Sequence, residues 1–527
     1  MSASSPVQGG GQLVRASVVV GAMTLISRVL GMVRDIVLAV VLGAAADADA
    51  FFIAFKIPNF FRRLFAEGAF AQAFVPVLME YHARGGLAAL RHLADRIAAA
   101  LGGSLLLLVA LAVLGAPLLT VLLAPGYYHD PARFELTVSL IRIATPYLFF
   151  IALAALGGAM LNMLGRFAVP AVTPVLLNLF LIAAALLMAP GRQQPAVVLA
   201  WSVTAAGLAQ LLFQVPPLLR LGVLPRPVWD RRDAGVRKVF ALMAPALFGV
   251  SVSQINLLLD SVFASFLPAG SVSWLYFSDR LVEFPLGVFG IAIATVLLPS
   301  LSRSSARQQR AAFAATLDWA LRWVLLIGVP ATIALVVLAE PILATLFMHG
   351  KLSLADAGKA ALSLQAYALG LLAFMLIKVL VPGFFSRQDS AAPVRIGLIA
   401  MLANLLLNVL FALPLYAFFD LGHVGLALAT SCAAYLNAGL LWRGLRRAGV
   451  CRAGAGLPAA CLRIGGAAAA MGVGLWLARG SLAEWALLDW WVRALRLVGL
   501  CLGGALAYAL ALALLGARPG QFREHSA

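Results

Sequence analysis

Apolar residues in this chain fall in long uninterrupted blocks, not in the short alternation of strands. A helix that crosses a bilayer needs about 20 predominantly apolar residues. Blocks of that kind lie at roughly 17–43, 48–79, 96–123, 136–161, 168–189 and 196–219, and then at 237–267, 272–301, 313–338, 358–385, 394–418, 422–445, 459–478 and 491–516. The pattern predicts an all-α polytopic membrane protein with about fourteen transmembrane helices. The second and eighth spans depart from the rule because both carry charges.

Composition agrees. The 527 residues are 63% hydrophobic and 11% charged, against roughly 25% charged in a soluble domain. No soluble segment is long enough to house an enzyme. The net charge of +18 would suggest nucleic acid in a soluble protein, but its distribution fits topology better. With the N-terminus cytoplasmic, the even-numbered connections carry the basic residues: Arg84, Arg91 and Arg96; Arg220, Arg226, Arg231, Arg232, Arg237 and Lys238; Arg303, Arg307 and Arg310; Arg387 and Arg395; and Arg443, Arg446, Arg447, Arg452 and Arg463. Gly43–Ala48 and Leu267–Val272, on the other side, have none. Both termini are expected inside, in a cytoplasmic (inner) membrane, with no nucleic-acid partner. The 4 cysteines form no CxxC pair and the 6 histidines are dispersed, so no metal or disulfide framework is implied.

Ala69–Leu78 and Ala292–Leu301 resemble each other, with Pro76 matching Pro299 and Lys56 falling opposite Asp279. The copies lie an even number of spans apart and so share an orientation. That arrangement predicts two pseudo-symmetric six-helix bundles, residues 1–220 and 221–446, with a terminal helix pair and tail at 447–527 outside the repeat. Chance similarity between Ala-rich helices is the competing explanation.

The chemistry lies in ionisable residues inside apolar spans. The first span holds Arg28, Arg34 and Asp35. The second begins near Asp49 and holds Lys56, Arg62, Arg63 and Glu67. The eighth holds Asp279, Arg280 and Glu283, and the tenth Lys378. Each costs roughly 2.5–3.5 kcal/mol at a helix centre on insertion scales, so as a set they should line a watered cavity and pair with one another. Arg28 and Asp35 share a helical face, as do Lys56, Arg63 and Glu67 in an unbroken helix. Ser273, Arg280 and Gly287 recur every seven residues. Pro58 interrupts the second span. Snorkelling to an interface is the alternative for these charges, and it has most force for Arg62, Arg63 and Lys378. Guanidinium groups grip phosphate oxygens bidentately. Arg28, Arg34, Arg62 and Arg280 are therefore the candidate ligands of an anionic, diphosphate-bearing substrate.

Asp260, Asn404, Asn408 and Thr430 offer one carboxylate and several neutral oxygens on the seventh, eleventh and twelfth spans. A hard-cation site and ordinary interhelical hydrogen bonding both fit. No GxxxxGK[ST] motif occurs. Transport energy must therefore come from an ion gradient, the membrane potential or downstream consumption of substrate.

Ser27–Asp35, Asp49–Asn59, Arg62–Phe70, Gly270–Pro285 and Lys378–Asp389 closely resemble the MurJ (MviN) family of the multidrug/oligosaccharidyl-lipid/polysaccharide exporter superfamily. The resemblance implies a MATE-like fold and a lipid II flippase without enzymatic activity. Its cargo would be the undecaprenyl-diphosphate-linked peptidoglycan precursor, moved from the cytoplasmic to the periplasmic leaflet by alternating access for cell wall synthesis. It places cavity arginines at Arg28, Arg34, Arg62 and Arg280, with acidic partners at Asp35, Asp49 and Glu283, and gives the terminal pair a groove for the polyprenyl tail. It adds sodium as a candidate ion at Asp260, Asn404, Asn408 and Thr430, a site that Asn408 weakens where relatives carry a second carboxylate. Lipid II, membrane lipids and cell-wall polymerases are the implied partners of a functional monomer. Flipping of another polyprenyl-linked saccharide and multidrug/cation antiport are the rival readings.

Overall fold

The computed structural model describes residues 10–66, 69–230, 232–306, 309–450 and 457–517. Among these, every regular element is helical. In chain order the helices are α1 (Gly10–Leu42), α2 (Ala46–Ala66), α3 (Ala69–Leu114), α4 (Ala116–Leu123), α5 (Pro131–Ala144), α6 (Tyr147–Met163), α7 (Ala168–Ala183), α8 (Pro195–Arg220) and α9 (Ala234–Ala264). They continue with α10 (Ser271–Ala306), α11 (Arg310–Val337), α12 (Ala339–Leu346), α13 (Leu354–Phe385), α14 (Ala391–Phe419), α15 (Gly422–Arg447), α16 (Leu457–Ala478), α17 (Leu482–Leu487) and α18 (Trp490–Leu514). A 3₁₀ turn, Pro125–His129, precedes α5, and a π turn, Ala184–Met188, follows α7.

Ten helical stretches among the described residues are long and apolar enough to cross a bilayer. They correspond to the third to sixth and ninth to fourteenth predicted spans. The other four predicted spans fall on α1, α2 with the start of α3, α9, and α10. In α1, α2 and α10 charged residues dilute the apolar run. The second predicted span, 48–79, falls on α2 up to Ala66 and on α3 from Ala69, with residues 67 and 68 outside the described ones. α3 in turn is interrupted at Gly85 and Gly86, where Gly86 has φ 63°, a left-handed value that only glycine takes freely. Both repeated segments are helical, and Pro76 and Pro299 sit inside α3 and α10.

The chain divides into two compact units, Met1–Leu42 with Ala46–Leu258, and Gly43–Ala45 with Leu259–Ala527. The division falls inside α9, whose Val236, Val239 and Met243 pack into the core of the first unit with Leu93, Leu156 and Leu218. In that unit α1 packs on α7, α2 on α5, and α6 on α8. In the second, α13 and α15 form the centre, with α14, α10 and α11 around them. A Cβ added at Gly425 would lie 2.7 Å from the Ala412 backbone, and one at Gly370 would lie 2.6 Å from Ser431 Oγ. Small residues thus let α15 approach α14 and α13 closely, which is how helices gain contact where apolar burial drives nothing. The terminal pair belongs to the second unit, since Met471 and Leu475 pack on Leu338. Exposed Leu495, Leu502, Leu506 and Leu510 recur along α18 as an apolar surface suited to lipid, not water.

Candidate functional site

In the first unit, Arg34 is 7% and Asp35 2% exposed. Arg34 Nε and Nη2 donate to Asp35 Oδ1 at 2.9 and 2.7 Å, and Nη1 donates to Asn178 Oδ1 on α7 at 3.0 Å. Asn178 Nδ2 returns a bond to the Ser27 carbonyl at 3.1 Å. The guanidinium also lies 5.6 Å from the Phe55 ring centroid. Asp35 therefore pairs with its chain neighbour Arg34. Arg28 is half-buried, and its buried Nε has no hydrogen-bond partner among the described residues. Asn178 escaped the sequence reading, although a lone amide inside the apolar run Val175–Ile182 is the signal that marks it.

On α2, Lys56, Arg62 and Arg63 are half-buried, and Arg62 Nε donates to Asn59 Oδ1 at 3.4 Å. Glu67 lies outside the described residues. Asp49 is fully buried. It receives Arg133 Nη2 at 2.6 Å from the first turn of α5, and the Arg133 guanidinium sits 4.0 Å from the Tyr127 ring centroid. Burial raises the Tyr127 phenol well above its ordinary range, and Asp49 adds to the shift, so the ring stays neutral under the guanidinium. Arg133 was not among the predicted site residues. Its signal is its position: it is the one arginine in the connection 124–135, on the side where basic residues are sparse.

In the second unit, Arg280 Nη1 donates to Glu283 Oε2 at 2.6 Å, and its guanidinium lies 5.0 Å from the Tyr276 ring centroid. Asp279 is half-buried and Ser273 fully buried on the same helix, and Lys378 is exposed on α13. Asp260 is 7% exposed and gathers the predicted polar set. Asn404 Nδ2 and Asn408 Nδ2 donate to its Oδ1 at 3.1 and 2.9 Å, and Thr430 Oγ1 donates to Oδ2 at 3.4 Å. Among the described residues the buried Asn408 Oδ1 has no hydrogen-bond partner. Turning the two amides about their last torsion would bring a carboxylate, two carbonyl oxygens and a hydroxyl to one point, a donor set that fits a hard cation. No cluster of three or more His, Cys, Asp or Glu is present among the described residues.

The arrangement thus has paired arginines in each unit and one buried carboxylate ringed by neutral donors. The sequence matches the family model described as Lipid II flippase MurJ over residues 38–495. The chain belongs to the MurJ family. It is 51% identical over 516 residues to a probable lipid II flippase MurJ of Vibrio cholerae, covering 96% of this chain and 97% of that one. It is 47% identical to a probable lipid II flippase MurJ of Haemophilus influenzae, covering 94% and 98%, and 40% identical to the lipid II flippase MurJ of Burkholderia cenocepacia, covering 83% and 84%. A solved lipid II flippase MurJ in an inward closed conformation superposes with TM-score 0.79 at 24% identity, covering 94% of this chain and 98% of that one. An inward-facing multidrug resistance MATE transporter of the MOP superfamily gives 0.65 at 14% identity, covering 80% and 95%. The MurJ and MATE neighbours bear out the MOP-type all-helical fold.

Proposed function

We propose that this multi-pass membrane protein is a lipid II flippase of the cytoplasmic membrane. It carries the undecaprenyl-diphosphate-linked peptidoglycan precursor to the periplasmic leaflet by alternating access. One observation carries the reading: the family match runs from residue 38 to 495, through the spans that hold most of the intramembrane charges. Relatives at 40–51% identity are named as lipid II flippases, whereas the MATE neighbours match in fold alone. Neither antiport of drugs nor flipping of a different saccharide gains support.

In this reading Arg28, Arg34, Arg62 and Arg280 hold the diphosphate while the polyprenyl tail stays in lipid. Arg28 has a buried donor to give. Arg280 is held by the flanking Glu283 carboxylate 2.6 Å away, a contact that a diphosphate oxygen can replace. Arg34, braced by Asp35 and Asn178, is the most fixed of the set. Asp35, Lys56, Arg63, Asp279 and Glu283 keep the path polar. A sodium ion held by Asp260, Asn404, Asn408 and Thr430, or the membrane potential, biases the return step. The protein transports its cargo without chemical change and so is not an enzyme.

The test is replacement of Arg28 or Arg280 by alanine in a depletion strain, followed by leaflet-resolved quantification of lipid II. A hydrogen bond to a charged group contributes about 1.5–3 kcal/mol, so each change should slow outward transfer about ten- to hundred-fold. Lysine should restore only part of the rate, because it keeps the charge and loses the fork. Undiminished flipping by the alanine variants would sink the assignment.

A further inference from the structure

We infer that Arg133 is a positioning residue, which through Asp49 sets the axial register of α2 and thereby the support under Arg34. Asp49 has no exposed surface and Arg133 has a side chain only 10% exposed, at 2.6 Å. Removing two charges from water to this degree offsets most of their attraction. A buried pair of this kind is weak evidence for added stability, and its best-attested use is to fix register. The local construction suits that use. Asp130 caps α5 by accepting from the Arg133 backbone N–H at 3.2 Å, which fixes the base of the arginine. Tyr127, in the turn just before, lies against its guanidinium.

From Asp49 the register propagates along one rigid stretch of helix ahead of Pro58. Phe51, Phe52 and Phe55 are each 1% exposed, and Phe51 and Phe55 stack at 5.6 Å with planes 10° apart. Phe55 is the ring beside the Arg34 guanidinium. Lys56 lies two turns from Asp49, on the same face. Sliding α2 by one residue would move Phe55 from Arg34 and rotate Lys56 away. A hydrophobic pair in place of Asp49 and Arg133 would tolerate such a slide; a hydrogen-bonded ion pair would not. That Arg34 contacts the cargo rests on the proposed function; that Arg133 fixes α2 does not.

The experiment compares the apolar double variant Asp49→Leu/Arg133→Leu with the charge-exchanged variant Asp49→Arg/Arg133→Asp, in the full-length protein. Three readouts are taken: thermal midpoint, outward transfer of lipid II, and the rate at which Lys56→Cys is labelled by a soluble thiol reagent in membranes. The apolar pair should keep the thermal midpoint near the native value yet slow transfer roughly tenfold or more, as small misplacement of a binding group does, with a changed labelling rate. The exchanged pair should recover much of both. Native transfer and native labelling in the apolar variant would overturn the inference. So would loss of folding in both double variants, since the pair would then serve stability alone. Arg34→Ala is measured alongside. If it flips lipid II normally while α2 labelling still shifts with the Asp49 and Arg133 changes, the cargo reading of Arg34 falls and the positioning of α2 stands.

Discussion

A buried arginine in a membrane protein invites a functional reading, yet its partners decide the matter. Arg493 is 8% exposed, and its hydrogen bonds go to backbone carbonyls. Its Nη1 donates to the carbonyls of Ala344 and Met348 at 3.1 and 3.2 Å, Nη2 to Ala486 at 2.9 Å, and Nε to Leu488 at 2.8 Å. These carbonyls close the C-terminal ends of α12 and α17, where oxygens are left without intrahelical donors and the dipole is negative. The guanidinium therefore ties the start of α18 to the rest of its unit. Arg493→Met should cost several kcal/mol, because hydrogen bonds to a charged group contribute about 1.5–3 kcal/mol each and buried carbonyls are orphaned. Thermal unfolding in detergent measures it; an unchanged midpoint would contradict the assignment. The sequence marks the charges that sit inside apolar spans, of which Arg34, Asp35, Asp49 and Asp260 are buried while Lys378 is exposed. It does not reveal the partner. The Asp35–Arg34 and Asp49–Arg133 pairs join neighbours and distant residues alike, and only the folded chain shows which partner each charge takes.

At the scale of elements, hydropathy located ten spans directly, and the other four predicted spans fall on α1, α2 with the start of α3, α9 and α10. Gly85 and Gly86 break α3 between two helical stretches that hydropathy alone joins differently, and Pro58 lies inside α2 without ending it. Helix packing was less legible, because lipid-facing and protein-facing positions are equally apolar. The close approach of α14 and α15 illustrates this: Gly425 in sequence is one small residue among many, while in the fold a Cβ there would lie 2.7 Å from Ala412 backbone. Backbone cannot yield as a side chain does. Gly425→Leu should separate the two helices that carry Asn404, Asn408 and Thr430, lowering thermal stability by several degrees. It should also abolish any stabilisation by added sodium, read as the shift in midpoint between sodium and potassium buffers. If the variant keeps a sodium-dependent shift equal to the parent's, the cation reading of that cluster no longer depends on this packing.

For the whole molecule, the strongest remaining prediction concerns orientation. The basic residues concentrate in even-numbered connections, and the positive-inside rule counts Lys and Arg in short loops near span ends. Arg226 and Ala269 are both exposed, the first in the long basic connection between α8 and α9, the second in the short uncharged one between α9 and α10. In the predicted topology one span separates them, which puts them on opposite sides. In a variant freed of its native cysteines, Ala269→Cys should react with a membrane-impermeant thiol reagent in intact cells, whereas Arg226→Cys should react only after the membrane is opened. The reverse pattern would invert the chain. It would place the predicted cytoplasmic entrance on the periplasmic side and would require the cargo to travel against the direction its biosynthesis demands. Labelling of both sites from outside would instead remove α9 from the membrane, and with it the burial that makes Asp260 informative.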